Sequence, residues 1–503
     1  MPARRRNDQA HRAVGTLDVL LPGVPALSRS RKTQLQIPPN RHRKPDDANQ
    51  PVRRPLVFVI VALALLMMSV DSTIVATALH ALQHGLGTSI NWAAWTLTAY
   101  SFGFVLMLPI SGRLSERYGH RRVFLGSVIA FTVASLCCGL VDDIFALIAL
   151  RAVQAAGGAG FTPSATGIIV DHFGDDRDRA VSLFGSIFPI GAMIGPLFGG
   201  LFVSYWTWRG VFFVNVPIGV AVIVLAMRYV PQDRPPADTS GFWRDPAGMV
   251  LLAAALLAGM LAISYMGEKN AKAWSPAFVL PLVIATVAAW WFFHHINRSP
   301  HPFIAPSLIH GSGFGAVNLV NAIYGGITLG VVVLIPLYAV NRYQMDALAA
   351  GTLLVAQGAA AIALSVIGTL ALRRTGYRLP LYVGGATIAA GMLLLAFRPG
   401  AAIPPYVWLA GSALLVGAGA GAINPASRNA GLQLAPRHSS TLAALRSASL
   451  QIGSITTVSV VTAILAGSDD PGRTQAKVFL AVGLLLVAAL PLIRRVPDQR
   501  GAW

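Results

Sequence analysis

The stretch LVFVIVALALLMMSVDSTIVATAL, Leu56 to Leu79, runs for 24 residues with a single charge, Asp71. A helix needs about 20 mainly apolar residues to cross the hydrocarbon core of a bilayer. This run is long enough. Thirteen more of the same kind follow, near residues 92–111, 122–141, 144–168, 180–204, 210–229, 247–266, 276–294, 313–340, 348–372, 379–397, 404–427, 440–466 and 475–494. Lipid requires a spanning segment to satisfy its own backbone, as a helix or a closed barrel does. Pro109, Pro189, Pro196 and Pro336 inside the runs make barrel strands a poor reading. The sequence therefore predicts an all-α polytopic membrane protein with about fourteen transmembrane helices.

Composition agrees. Of 503 residues, 54% are hydrophobic and 12% charged, about half the charged share of a soluble domain. Cys137 and Cys138 are adjacent in one apolar run, which argues against a disulfide framework. The net charge of +19 is gathered at the ends and in short loops, a pattern suited to anionic lipid rather than nucleic acid. With the N-terminus inside, 30 Lys and Arg fall on the cytoplasmic side and 7 outside. Both termini are therefore expected in the cytoplasm. Residues 1–55 read as a basic disordered tail against lipid or, alternatively, a regulatory arm; they lack the pattern of a cleavable signal.

Two connections echo each other. GRLSERYGHRR (Gly112–Arg122) and GTLALRRTGYR (Gly368–Arg378) align with one inserted residue, pairing Gly112 with Gly368, Gly119 with Gly376 and Arg121 with Arg378. Such an echo is what two homologous halves leave behind. It divides the chain into a six-helix bundle at 56–229, an inserted pair with its linkers at 230–312, a second six-helix bundle at 313–494 and a short cytoplasmic tail at 495–503.

Two charges lie deep in spans, where each costs about 2.5–3.5 kcal/mol on insertion scales and normally faces the bundle interior. At a rise of 1.5 Å per residue, Asp71 is about 12 Å and Arg151 about 10 Å below the outer surface. They lie at one depth in one half, either as a site that takes up and releases a proton or as a permanent ion pair. Trp95, Tyr100, Gln154, Asn318, Asn321, Tyr324 and Gln357 are candidates for a substrate cavity, each also readable as an interhelical contact. Arg446, about 9 Å from the cytoplasmic end of its span, either snorkels to the interface or meets an anionic substrate. Trp206, Trp208, Trp274, Trp290 and Trp291 suit an interfacial belt.

Other chemistry finds no support. No phosphate-cradling GxxxxGK[ST] occurs, which disfavours ATP-driven pumping. His294, His295 and His301 lack a nearby Cys or acid in sequence, so a metal site is not expected there, and no cofactor is. GAGAGA (Gly417–Ala422) follows no strand and reads as helix packing.

The motifs together resemble the major facilitator superfamily, and within it the fourteen-helix branch of drug:proton antiporters. GRLSERYGHRR is similar to its loop motif, with Glu116 where Asp is usual. LRAVQAAGGAG (Leu150–Gly160) resembles its fourth-helix motif, with Ala155 for a Gly. GAMIGPLFGG (Gly191–Gly200) resembles the fifth-helix antiporter motif, and SVDSTIVATAL (Ser69–Leu79) the first-helix motif. WRGVFFVNVPIG (Trp208–Gly219) is typical of the branch. The resemblance implies a latch between the halves at Gly112, Glu116, Arg117, Gly119 and Arg121, where the bare residues read equally as a basic loop facing lipid headgroups. It implies a cavity seal at Gly191, Gly195, Pro196, Gly199 and Gly200, whose spacing alone indicates close helix packing. It implies proton coupling at Asp71 and Arg151, and export of amphipathic small molecules across an inner membrane by alternating access. Neutral or monocationic substrates would suit a chain with one deep acid. A periplasmic adaptor is an implied partner if the cell is Gram-negative. Export of one endogenous metabolite, and a non-transporting scaffold or sensor, are the alternatives.

Overall fold

The computed structural model describes residues 53–232, 245–266, 272, 274–466 and 468–501. The expected tail at 1–55 lies almost wholly outside them. Fourteen helices among the described residues are long and apolar enough to span a bilayer. They are α1 (Arg54–Thr77), α2 (Trp92–Tyr118), α3 (His120–Leu140), α4 (Ile144–His172), α5 (Gly174–Tyr205), α6 (Gly210–Tyr229) and α7 (Pro246–Met266), followed by α8 (Pro276–Arg298), α9 (Phe314–Val332), α10 (Ala349–Thr375), α11 (Arg378–Ala396), α12 (Pro405–Leu432), α13 (Pro436–Leu465) and α14 (Pro471–Arg495). An even number returns the chain to the side where it entered, called here the basic end. At that end α5 starts six residues before its apolar run, because Asp175, Asp176 and Asp178 favour a helix N-terminus.

Several helices start where a polar side chain replaces a missing backbone partner. Asp143 accepts the Ala146 N–H at 2.7 Å, Asp346 that of Ala349 at 3.2 Å and Asp470 that of Arg473 at 2.9 Å. All three caps lie at the end opposite the basic one. The internal echo has a backbone counterpart. Gly119 ends α2 at φ 99° and Gly376 ends α10 at φ 72°, a region closed to most side chains.

Helices α1–α6 form one bundle around Leu65, Phe131, Phe161 and Phe184, and α9–α14 a second around Tyr338, Ile388, Val416 and Phe479. The bundles meet where α2 packs on α13 and α5 on α10. Helices α7 and α8 pack on each other, and α7 rests on α13 and α2. On α8, Leu280, Val283, Val287 and Trp290 are exposed, as suits a lipid-facing helix. Trp206, Trp274, Trp290 and Trp291 are exposed too, but Trp208 is buried against Gly85 and beneath Arg209 rather than in an interfacial belt.

Candidate functional site

A fully buried ion pair lies inside the first bundle. Asp71 Oδ2 on α1 accepts from Arg151 Nη1 on α4 at 2.9 Å, and neither side chain has any exposed surface. The second carboxylate oxygen accepts from Gln154 Nε2 at 3.0 Å and from Asn215 Nδ2 at 2.8 Å. Ser135 on α3 accepts from the same two amides at 3.1 Å each and donates to the Phe212 carbonyl at 2.9 Å. The Tyr100 ring of α2 covers the Arg151 guanidinium at 4.2 Å, a cation–π contact. Five helices thus converge on one carboxylate. Removing one partner of a buried pair typically costs about 3–5 kcal/mol, because the other charge is then stranded.

Gln154, a cavity candidate by sequence, is a structural member of this network with no exposed surface. Its spacing of three from Arg151 puts both on one helix face. Asn215 was missed, although a lone Asn in an apolar span is a signal.

Helices α1 and α5 lie backbone to backbone. Gly191, Gly195 and Gly199 repeat every four residues and face Ser69, Thr73 and Thr77, which repeat likewise. A Cβ on any of the three glycines would run into the facing hydroxyl group. Gly200 has nothing within 4 Å of such a carbon, so it does not belong to that face. The Pro196 side chain lies outside the described ones.

At the basic end two charged clasps join the bundles. In the first, Glu116 Oε1 accepts the Thr441 N–H at 2.9 Å and Oε2 faces His438 at 3.1 Å and Arg113 at 3.6 Å. Gly112 permits this approach; a Cβ there would lie 2.8 Å from that of Ala444. Ser440 Oγ on α13 donates to the Pro163 carbonyl of α4 at 2.8 Å and lies 3.1 Å from His120 Nδ1. In the second clasp the signs are exchanged. Arg373 of α10, in the repeated loop, donates to Asp178 of α5 through Nε at 2.8 Å and Nη2 at 2.7 Å. Its Nη2 also meets the Asp175 carbonyl. Asn429 Nδ2 adds a bond to Ser182 Oγ at 2.8 Å. Arg121 lies apart from both clasps, bonded to the Met227 carbonyl at 2.6 Å, and Arg117 stacks on Tyr118 at 5.5 Å. Neither reading of the loop placed Arg121 on α6.

The remaining cavity candidates separate. Asn318 and Asn321 line a pocket between the bundles, with Asn318 Nδ2 bonded to the Leu308 and Ile309 carbonyls at 3.2 and 3.0 Å. Tyr324 is instead a core residue, its hydroxyl donating to the Leu486 carbonyl at 2.7 Å. Trp95 is 38% exposed and edge-on to Phe102, while the Gln357 backbone carbonyl packs against Gly417. Arg446 does not snorkel. Its guanidinium turns inward and donates to Asn424 Oδ1 at 3.2 Å and Ser427 Oγ at 3.0 Å.

One of the three histidines, His295 near the end of α8, does have an acid beside it, brought there by the fold. His295 Nε2 lies 2.6 Å from Asp245, which comes from the other end of the α7–α8 hairpin, 50 residues away. The same carboxylate accepts the Gly248 N–H at 2.8 Å and the Phe303 N–H at 2.7 Å. Burial raises its pKa, but these N–H bonds and His295 outweigh it and hold the group below the usual carboxylate range. Among the described residues no cluster of three or more His, Cys, Asp or Glu could hold a metal.

The sequence pattern of the Major Facilitator Superfamily matches residues 61–458. The chain is 31% identical over 345 residues to the Multidrug resistance protein B homolog of Mycobacterium tuberculosis, a match covering 67% of this chain and 62% of that one. It is 29% identical over 369 residues to Multidrug resistance protein 3 of Bacillus subtilis, covering 72% and 70%. The Methylenomycin A resistance protein of Streptomyces coelicolor is 28% identical over 455 residues, covering 88% and 93%. In fold the chain is similar to the human organic anion transporter MFSD10, with a TM-score of 0.64 at 14% identity over 88% of this chain and all of that one. Two six-helix bundles, an inserted pair and relatives of this kind lead to one assignment: the chain belongs to the major facilitator superfamily of membrane transporters, in its fourteen-helix branch.

Proposed function

We propose that this transporter exports amphipathic small molecules in exchange for protons, by alternating access across an inner membrane, with its basic end in the cytoplasm. The imbalance of 30 to 7 in Lys and Arg supports that orientation. In this conformation the two clasps close the cytoplasmic side, so they act as the latch that must release before substrate can enter from within. The glycine face of α5 seals the first bundle against leakage along α1.

The observation that carries proton coupling is the Asp71–Arg151 pair, an ionisable carboxylate held in a dry bundle, its guanidinium covered by the Tyr100 and Phe212 rings. Displacing Tyr100 would bring water to a group whose charge is balanced here by a single guanidinium. Inward movement of one proton at 100 mV supplies about 2.3 kcal/mol. A second reading is favoured by the saturation of Asp71: three side-chain donors on its two oxygens also describe a permanent brace.

Everted vesicles energised by respiration separate the two. Under the coupling reading, Asp71→Asn folds and still lets substrate equilibrate, but abolishes accumulation and substrate-dependent dequenching of a pH probe. Undiminished uphill transport by Asp71→Asn would remove Asp71 from coupling. Loss of the folded protein in Asp71→Asn, together with rescue of accumulation by Asp71→Asn/Arg151→Gln, would establish the brace.

A further inference from the structure

Two arginines lie side by side within the second bundle, and among the described residues no acid balances them. Arg428 on α12 is 8% exposed, and its Nε donates to Asn424 Oδ1 at 2.8 Å. Arg446 on α13 shares that same amide oxygen. Among the described residues no carboxylate pairs with either guanidinium, and the charge acting on Arg446 is that of Arg428 itself. A buried cation ordinarily has an anionic partner, because leaving it unpaired costs several kcal/mol. Here two cations share one neutral acceptor, and their other partners, the Ser427 hydroxyl and the Phe188 ring, are neutral too.

The hydrogen-bonding groups left over beside them are donors. Arg446 Nε is buried without a partner, and so is Nδ2 of Asn321, a residue 2% exposed. Both residues line the pocket that Arg428, Asn318, Thr162 and Thr166 complete. Asn321 begins the wide π-helical turn of α9, Asn321–Ile327, a distortion often found at functional sites. The pocket's volume is about 20 Å³, enough for a water-sized group. Thr162 and Thr166 belong to the first bundle and the other four to the second, so the pocket's walls part when the bundles do.

We propose that this pocket seats an oxygen of the transported molecule's anionic group, and that the substrates are amphipathic organic acids bearing a carboxylate. This rests on the export reading above and names its substrate class. The guanidiniums supply charge-assisted bonds in a dry setting, where such bonds are strongest. The pocket lies next to the basic-end clasps, so releasing them exposes it to the side from which an exporter loads. Asp71, the one acid that favoured cationic substrates in the sequence, is spent on Arg151 and leaves no anchor for a cation.

Equilibrium binding to the full chain in nanodiscs tests this without any proton gradient, using pyrenebutyrate and its methyl ester, with empty discs as blank. Wild type should bind the acid at least tenfold more tightly than the ester. Arg446→Gln and Arg428→Gln should each lose at least tenfold for the acid and leave the ester within twofold, while Arg446→Lys retains most of the preference. Asn321→Leu, which keeps both charges, should weaken the acid several-fold and serves if a Gln variant does not purify. Equal binding of acid and ester to wild type overturns the proposal. So does an acid preference that survives both Gln variants, or a pocket saturated by chloride or phosphate that pyrenebutyrate cannot displace. Failure here leaves the Asp71→Asn result standing, and failure there leaves this binding preference intact.

Discussion

Glu116 at the end of α2 accepts the backbone N–H of Thr441 at 2.9 Å, so a carboxylate of one bundle sits on the first turn of a helix in the other. The helix dipole and the neighbouring Arg113 both favour negative charge at that point. A hydrogen bond to a charged group contributes about 1.5–3 kcal/mol. Glu116→Gln keeps the shape and removes the charge. It should shift the population toward opening at the basic end by about tenfold or more, since each 1.4 kcal/mol is a factor of ten. Labelling of a cysteine introduced at Ser447, which lines the pocket between the bundles, by an impermeant maleimide from the basic side should quicken accordingly. An unchanged rate would mean that the clasp holds nothing.

The Arg373–Asp178 clasp should behave as an exchangeable pair. Either charge reversal alone, Asp178→Arg or Arg373→Asp, sets like charges together at a site where Asp178 is 2% exposed. Transport should fall at least tenfold in each. The double reversal should restore a substantial part of it, and no recovery would show that geometry rather than charge matters there.

Glycine positions in one motif should differ sharply. Gly195→Val drives a branched side chain into Thr73 and the Val70 carbonyl, and overpacking of this kind costs about 1–3 kcal/mol. Gly200→Ala meets open space and should stay within about 0.5 kcal/mol of wild type. Thermal unfolding in detergent distinguishes them. Equal melting temperatures would refute the close approach of α1 and α5.

Asp245 makes a pH prediction. Its pKa lies below the unfolded value of about 3.9, so its stabilising effect is complete above that value and fades as pH falls through the folded one. Asp245→Ala strands the Gly248 and Phe303 N–H groups and should melt earlier than wild type at pH 7. The gap should narrow as the pH is lowered below 4. A gap constant from pH 7 to pH 3 would exclude the charge as its cause.

The spans were legible because hydropathy over twenty residues needs no tertiary information. The depth arithmetic for Asp71 and Arg151 succeeded for a similar reason: helical rise is fixed, and two costly charges at one level seek each other. What escaped were pairings between distant parts of the chain. Asp178 stands in a run of acids where nothing marks it from Asp175 or Asp176, and its partner Arg373 comes 195 residues later. Asp245 and His295 meet only because a hairpin folds back. Tyr324 looks like a cavity residue in a one-dimensional reading, since only packing against α14 reveals that its hydroxyl faces inward. Arg428 and Arg446 each look tolerable alone, and it is their common acceptor, Asn424, that makes them an unbalanced pair.

The interlocked stripes of Gly191, Gly195 and Gly199 against Ser69, Thr73 and Thr77 constrain how the molecule can move. Side chains elsewhere can tilt or change rotamer to let helices slip, but two main chains in contact have no such slack. Helices α1 and α5 must therefore travel as a single splinted strut. It carries Asp71 midway along it and Asp178 near its tip, 107 residues apart in the chain, so the salt link at the tip and the buried charge ride on one body.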